Sequence, residues 1–126
     1  IPLGRRFRAL KLWFLMRAYG LENLRNRIRN HVTWSCELCE VLRARDGFEI
    51  VTEPILSLFT FRAPGDDAAQ QRLVDALNDD GRIYLTQGLH EGRKVIRFQV
   101  GQFETMRKDV MMAGDVIAEV WTQISA

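Results

Sequence analysis

The residue spacing that most suggests chemistry is the CxxC pair formed by Cys36 and Cys39. This spacing serves redox dithiols and forms half of many zinc sites. The sequence has no second pair to complete a tetrahedral zinc site. Hydrophobic periodicity also places the pair in mid-helix, whereas the dipole lowers a thiol pKa at a helix N-terminus. We therefore expect both cysteines to pack in the core, and we expect no metal.

The two histidines, His31 and His90, are far apart and lie in no recognisable catalytic or ligand spacing. The glycines of the Gly88–Gly92 segment lack the strand–GxGxxG–helix setting of a phosphate loop, so this segment predicts a hairpin. We expect no self-contained active site in the chain.

The opening thirty residues carry most of the positive charge. They hold eight cations and one anion, so this segment has a net charge of +7 while the whole chain has +2. The cations alternate with bulky apolar residues, which favours a helix buried between two bodies of protein over a nucleic-acid-binding tract. We expect docking or interface roles for Arg5, Arg6, Phe7, Arg8, Lys11 and Trp13.

Hydrophobic periodicity then positions these residues on predicted elements. A helix precedes Gly20, and a second runs from Leu21 to a turn at Asp46-Gly47. After residue 47 the period changes from 3.6 to 2. We expect strands over 48–53, 55–62, 83–87 and 94–100, with a hairpin loop over 88–93. A helix capped by Asp66 or Asp67 should end near Gly81, and Thr105 should cap a final helix.

The predicted fold class is α+β, with two N-terminal helices followed by ββαββα and an antiparallel sheet covered by helices. Residues 1–46 should form interface helices and residues 47–126 a small α+β domain. No apolar run approaches the roughly 20 residues that a membrane span needs. The start lacks an initiator Met and a signal-peptide core, so the chain reads as part of a longer polypeptide. Two cysteines are too few for a disulfide framework, which favours a reducing, cytoplasmic location.

The opening stretch closely resembles a segment of group II pyridoxal-phosphate-dependent decarboxylases, the branch of aromatic-L-amino-acid, tyrosine, tryptophan and histidine decarboxylases. The residues that carry the resemblance are IPLGRRFRALKLWF at 1–14, Arg17, Tyr19, Gly20, Leu24 and the run from Ile28 to Val32. A looser likeness continues through 48–50, 56–62 and 97–98 into the final helix.

The resemblance implies the C-terminal small domain of a fold-type I enzyme, a homodimer that releases CO2 from an aromatic L-amino acid. Pyridoxal 5'-phosphate would be held by a lysine of a large domain outside this chain. We therefore assign no Schiff-base role to Lys11, Lys94 or Lys108. The resemblance also implies that Gly4 and Leu3 lie near the substrate ring, where a glycine leaves room for a bulky side chain.

Two alternatives remain open from the sequence. The chain could be a stand-alone module that docks through its basic N-terminal helix, or a catalytically inactive relative of the decarboxylases. Under the decarboxylase interpretation we expect the large domain and an amino-acid substrate as partners, and neither nucleic acid nor membrane.

Overall fold

The computed structural model describes residues 7–125, which contain four helices and four strands in the predicted order. The bounds are α1 Arg8–Tyr19, α2 Leu21–Arg43, β1 Glu49–Ile55, β2 Leu58–Arg62, α3 Asp67–Asp80, β3 Thr86–His90, β4 Arg93–Gln99 and α4 Arg107–Ser125. The chain divides into two compact units, Ile1–Asn30 and His31–Ala126. We call these the N-terminal and C-terminal units.

The N-terminal unit contains α1 and the first part of α2. Helix α1 ends at Gly20, whose φ of 75° breaks the helix and whose N–H donates to the Met16 carbonyl at 3.0 Å. No residue of α1 is buried, although the helix is apolar on more than one face. Glu22 lies within ion-pair distance of Arg25 and Arg29, at 3.5 and 3.4 Å, near the start of α2.

The C-terminal unit is built on a four-stranded antiparallel sheet with strand order β1-β2-β4-β3. Phe59 pairs with Phe98 and Phe61 with Ile96 across the two central strands. These side chains are buried and alternate with the polar pair of Thr60 and Arg97, as expected of a sheet with one face in the core. The α+β class predicted from the sequence is confirmed.

Helices supply the other wall of this core. The helical residues in the buried cluster include Leu38, Leu42, Leu73, Val74, Leu77, Val110, Ala113, Val116, Ile117 and Val120. Helices α2 and α4 approach each other at Gly114, where an added Cβ would lie 2.6 Å from Leu38 Cδ1. Glycine is required there by packing, because Leu38 is fully buried.

Helix α3 has the ends that the sequence predicts. The Asp66 side chain accepts a hydrogen bond from the Ala69 N–H at 2.8 Å, which satisfies one of the free donors of the first turn. Gly81 takes the left-handed conformation at the C-terminal end, and its N–H donates to the Leu77 carbonyl.

The boundary between the first two strands differs from the prediction. Strand β1 continues through Pro54 to Ile55, and β2 begins only at Leu58, so a two-residue turn of Leu56 and Ser57 interrupts the predicted 55–62 strand. Pro54 is tolerated because β1 is an edge strand. The apolar run conceals the turn, since it contains no glycine or asparagine.

The second hairpin is also tighter than predicted. Strand β3 begins at Thr86 rather than Ile83 and reaches His90, which leaves only Glu91 and Gly92 as the turn. Both turn residues have positive φ, 49° and 79°, the pattern of a type I′ hairpin. The predicted 88–93 loop is therefore wrong, although the hairpin itself is confirmed.

The start of α4 differs in its capping residue. The helix begins at Arg107, and Asp109 Oδ2 accepts the Met106 N–H at 2.8 Å. The Thr105 hydroxyl instead donates to Gln102 Oε1 at 3.2 Å. Thr105 is thus not the cap, whereas the favourable place of Asp109 in the first turn is confirmed.

Candidate functional site

Four of the sequence-predicted site residues, Leu3, Gly4, Arg5 and Arg6, lie outside the described residues. The proposed substrate-adjacent positions are among them. Their roles therefore stay predictions.

The remaining docking residues lie on and beside α1. Phe7 and Trp13 are 72% and 50% exposed, and Arg8 and Lys11 are exposed beside them. The Arg17 guanidinium carbon lies 5.9 Å from the centre of the Trp13 ring, within the range of a cation–π contact. Helix α1 thus presents apolar and cationic side chains together.

The CxxC pair divides between two environments. Cys39 is fully buried in the core of the C-terminal unit, as predicted, but Cys36 is exposed. Burial raises the pKa of the Cys39 thiol, an effect that the nearby Arg43 only partly offsets. A buried thiol with a raised pKa is a poor nucleophile, so the pair does not form a redox dithiol. The expectation that both cysteines pack in the core is wrong for Cys36, because the buried stripe of α2 runs through His31, Ser35, Leu38, Cys39 and Leu42 and leaves Cys36 at its exposed edge.

The two histidines lie on different elements. His31 is buried on α2 with its ring 5.7 Å from that of Trp34. His90 ends β3, where it pairs in register with Arg93. The two histidines therefore belong to separate elements, and their lack of a catalytic role stays a prediction.

The three lysines do not form a cofactor site among residues 7–125. Lys11 and Lys108 are exposed on α1 and α4. Lys94 is half-buried on β4, and its Nζ donates to Gln71 Oε1 at 2.9 Å. A cofactor aldehyde needs a lysine in an enclosed site with an acid opposite the pyridine nitrogen, which the described residues do not provide.

The most enclosed charge of the C-terminal unit is Arg62, at the end of β2, where only 5% of the residue is exposed. Its guanidinium donates to Asp67 Oδ1 at 2.8 Å, to the Gly65 carbonyl at 3.2 Å and to the Lys94 carbonyl. Asp67 Oδ1 also accepts the Lys94 N–H at 3.1 Å. Arg62 therefore ties β2, β4 and the first turn of α3 together. Residue type and spacing do not predict this burial, since arginine is seldom buried.

The Arg62 network holds the pKa of the Asp67 carboxyl below its usual range, first through the hydrogen bond from Arg62. Arg93 of β4 lowers the pKa of Glu49 of β1 in the same way. Two guanidinium nitrogens of Arg93 lie 2.6 and 3.1 Å from the carboxylate oxygens of Glu49. Both carboxylates are therefore stabilised as anions, and neither is suited to act as a general base near neutral pH.

An open groove of about 460 Å³ lies where β3 and α4 begin and β4 ends. Its apolar lining includes Leu85, Phe98, Val100, Val110 and Met112. This volume is in the range of small-molecule pockets. No lysine lines the groove, so it does not supply the aldehyde-binding group of a pyridoxal enzyme.

Within residues 7–125 there is no group of three or more His, Cys, Asp or Glu side chains placed to hold a metal ion. The same residues include no helix that is long and apolar enough to span a membrane.

The chain belongs to the pyridoxal-dependent decarboxylase family, because the model of the pyridoxal-dependent decarboxylase conserved domain matches residues 1–64. The resemblance inferred from the sequence is confirmed. The family match covers α1, α2 and the first two strands, which include the Arg62 end of β2.

Curated relatives align with nearly the whole chain. The chain is 36% identical to the 3,4-dihydroxyphenylacetaldehyde synthase of Drosophila melanogaster, over 100% of this chain and 25% of that protein. It is 37% identical to tyrosine decarboxylase 2 of Narcissus pseudonarcissus, over 100% of this chain and 27% of that protein. It is 36% identical to the aromatic-L-amino-acid decarboxylase of Mus musculus, over 98% of this chain and 26% of that protein. The chain thus spans about a quarter of the length of these relatives.

Solved structures share the fold. The rice (Oryza sativa) TDC crystallised with PLP and tryptamine superposes with a TM-score of 0.88 at 32% identity, covering 98% of this chain and 28% of that one. The Catharanthus roseus tryptophan decarboxylase in complex with L-tryptophan superposes with a TM-score of 0.85 at 34% identity, covering 95% of this chain and 27% of that one. These enzymes carry the same α+β unit within much longer chains.

Proposed function

We propose that this chain is the C-terminal part of an enzyme that uses pyridoxal 5'-phosphate to convert an aromatic L-amino acid to its amine and CO2. The observation that carries the proposal is the family match over residues 1–64, joined to relatives that align over 98–100% of the chain. The names of several relatives specify tyrosine, tryptophan or aromatic amino acids as substrates.

The described residues support a division of labour between this chain and the rest of the proposed enzyme. When bound, the cofactor accepts the electrons released as CO2 leaves the substrate. None of Lys11, Lys94 and Lys108 lies in an enclosed acidic site, so we place the cofactor-binding lysine in the part of the enzyme outside this chain. The role of this chain is to pack against that part and to form one wall of the active site.

The proposal is tested with the full-length enzyme. Purified protein should absorb near the internal-aldimine band and release amine from L-tryptophan, L-tyrosine or L-DOPA. A protein that binds the cofactor and yields no amine from any of the three would favour the inactive-relative alternative. A protein that never binds the cofactor would refute the proposal.

A second candidate product is an aldehyde. Relatives of similar identity are named 3,4-dihydroxyphenylacetaldehyde synthase and phenylacetaldehyde synthase. Chromatography of the products from one substrate separates the two activities. We expect the amine to predominate, and an excess of aldehyde over amine would assign the chain to the second activity.

The substrate-adjacent role of Gly4 and Leu3 is part of the proposal and rests on the resemblance alone. A side chain at residue 4 would reduce the room beside the substrate ring. Replacing Gly4 with serine in the full-length enzyme should therefore lower kcat/KM for an indole substrate more than for a phenolic one. An unchanged ratio would refute a role for Gly4 in substrate choice.

Helix α1 is the proposed docking surface for the large domain. Its support is an exposed apolar surface in which Leu12, Trp13 and Phe14 are each at least half exposed, an arrangement typical of interaction sites. We expect Trp13→Ser in the full-length enzyme to release cofactor more readily than the wild type. Tyr84→Ser is a matched control, because Tyr84 is an exposed aromatic residue of the C-terminal unit.

We further propose that the enzyme is a homodimer in the cytoplasm. Both cysteines are free thiols, which accords with a reducing compartment. Light scattering of the full-length protein tests the dimer, and imaging of a fluorescent fusion tests the location. A monomeric active enzyme, or a secreted fusion, would contradict the respective part of the proposal.

A further inference from the structure

The turn that joins β1 to β2 exposes two adjacent branched aliphatic side chains. We call residues Ile55, Leu56 and Ser57 the β1–β2 tip. Ile55 is 75% exposed and Leu56 is 73% exposed. Hairpin turns usually carry Gly, Asn or Asp, which are polar or small. The β1–β2 tip therefore presents apolar surface where the chain ordinarily meets water.

The backbone at this turn is unfavourable for the residue that occupies it. Leu56 has a φ of 55°, a region in which the Cβ of a bulky residue crowds the following carbonyl. It is the first of the two residues between the strands, a position where positive φ favours glycine. The β3–β4 turn shows the ordinary alternative, with the polar Glu91 followed by Gly92. Leu56 thus departs from two local preferences at once, which is typical of residues retained for function.

The β1–β2 tip is held firmly by hydrogen bonds to its neighbours. The Val100 N–H donates to the Ser57 carbonyl at 3.0 Å. Behind the tip, the hydroxyls of Thr52 and Thr60 are 2.8 Å apart, and the Thr60 N–H donates to the Thr52 hydroxyl at 3.1 Å. A turn that is already ordered loses little conformational entropy when its side chains become buried.

We propose that the β1–β2 tip inserts Ile55 and Leu56 into an apolar pocket in the part of the polypeptide outside these 126 residues. The chain spans about a quarter of its relatives' length, so about three times as much polypeptide is available to form that pocket. The run from Pro54 to Phe59 carries no charge, which matches an apolar partner surface. The inference rests on the proposed function only in that the enzyme is longer than this chain.

Cysteine labelling of the full-length enzyme tests the proposal directly. Leu56→Cys and Leu89→Cys start from leucines that are equally exposed, at 73% each. Maleimide labelling of each new cysteine is followed by peptide mass spectrometry, in native buffer and in urea. We expect Leu56→Cys to label at least about tenfold more slowly in native buffer than in urea, which corresponds to about 1.4 kcal/mol of protection. Leu89→Cys, on the edge strand β3, measures how the reagent reacts with an exposed strand residue.

A second variant, Leu56→Asn, should shift the thermal midpoint in opposite directions for a free and a docked tip. Asparagine tolerates positive φ better than leucine, so Leu56→Asn would raise the thermal midpoint if the tip were in water. We expect it to lower the midpoint, because in the docked state the variant loses the apolar contacts of leucine and buries an amide. Native labelling of Leu56→Cys as fast as in urea, or a raised midpoint for Leu56→Asn, would overturn the proposal. Protection that disappears on dilution would assign the tip to a second copy and also overturn it.

These outcomes are separate from those that test the proposed function. An active decarboxylase with a freely labelled tip refutes the tip alone. A protected tip in a protein that lacks activity leaves the docking inference intact and refutes the enzymatic proposal.

Discussion

Replacing Arg62 with methionine should loosen the junction of β2, β4 and α3 in the full-length protein. Methionine preserves most of the buried aliphatic volume and removes the guanidinium. Three acceptors then lose the hydrogen bond from Arg62: the Asp67 carboxylate, which keeps the bond from the Lys94 N–H, the Gly65 carbonyl and the Lys94 carbonyl. The experiment therefore measures the polar contribution of Arg62 more than its packing.

The magnitude follows from which acceptors water can reach. Asp67 keeps 45% of its side chain exposed and Gly65 is exposed, so water replaces much of what they lose. Lys94 is half-buried on the inner strand β4, so water replaces less of what its carbonyl loses. Hydrogen bonds from a charged donor contribute about 1.5–3 kcal/mol. With the rehydration of Asp67 and Gly65, we expect a loss of about 3 kcal/mol in local stability.

Hydrogen exchange read by mass spectrometry measures this loss without requiring reversible unfolding. Peptides covering β2, β4 and the start of α3 should exchange roughly a hundredfold faster in Arg62→Met, since each tenfold change is about 1.4 kcal/mol. Arg93→Met is the matched control. Arg93 also pairs with a carboxylate across the sheet, but its side chain is 53% exposed, and exposed pairs contribute little. Equal effects of the two substitutions would refute the argument from burial.

The same pair predicts a pH dependence. Because the folded-state pKa of Asp67 is lowered by Arg62, the pair stabilises the fold above the unfolded aspartate pKa of about 4. This stabilisation is lost as the pH falls below that value and through the folded pKa. The difference in thermal midpoint between the wild type and Arg62→Met should therefore shrink between about pH 5 and pH 3. A constant difference would mean that the charge of Asp67 contributes nothing.

Two other predictions follow from packing and burial. Gly114→Ala should lower the thermal midpoint, because overpacking against the buried Leu38 costs about 1–3 kcal/mol and outweighs the roughly 1 kcal/mol gained in helix propensity. Gly101→Ala is the control and should leave the midpoint nearly unchanged, because the nearest atom to its added Cβ would be 3.8 Å away. Equal shifts in the two variants would contradict this reasoning. Iodoacetamide at neutral pH should modify Cys36 and spare Cys39, since only Cys36 is exposed and burial raises the pKa of the Cys39 thiol; peptide mass mapping that shows equal modification would show that Cys39 is accessible.

Much of the fold could be predicted from the sequence because its periodicity and its helix ends agree. The alternation of Phe59 and Phe61 along β2 marks the core face, and both are fully buried. Asp66 and Gly81 mark the two ends of α3 by side-chain capping and by left-handed backbone. Each of these signals depends on a local property of one residue, so it can be recognised without tertiary contacts.

The predictions differ from the structure where tertiary contacts override the local preference of a residue. The β1–β2 turn could not be seen, because Leu56 has no intrinsic tendency to take positive φ and the run around it resembles one strand. The burial of Arg62 depends in part on the Lys94 carbonyl of β4, which is distant in sequence. Cys36 and Cys39 lie three residues apart on neighbouring positions of α2, yet only Cys39 is covered by the core. None of these outcomes is contained in residue type and spacing alone.

The exposed apolar side chains of the two units have a common physical explanation. A small domain with a closed core has no reason to keep a strained leucine in water beside an exposed isoleucine at the same turn. In the N-terminal unit, helix α1 likewise exposes Trp13 and Phe14. Both features gain free energy only when a further surface removes them from water. The relatives are about four times as long as this chain, which supports the proposal that further polypeptide of a longer enzyme covers these surfaces.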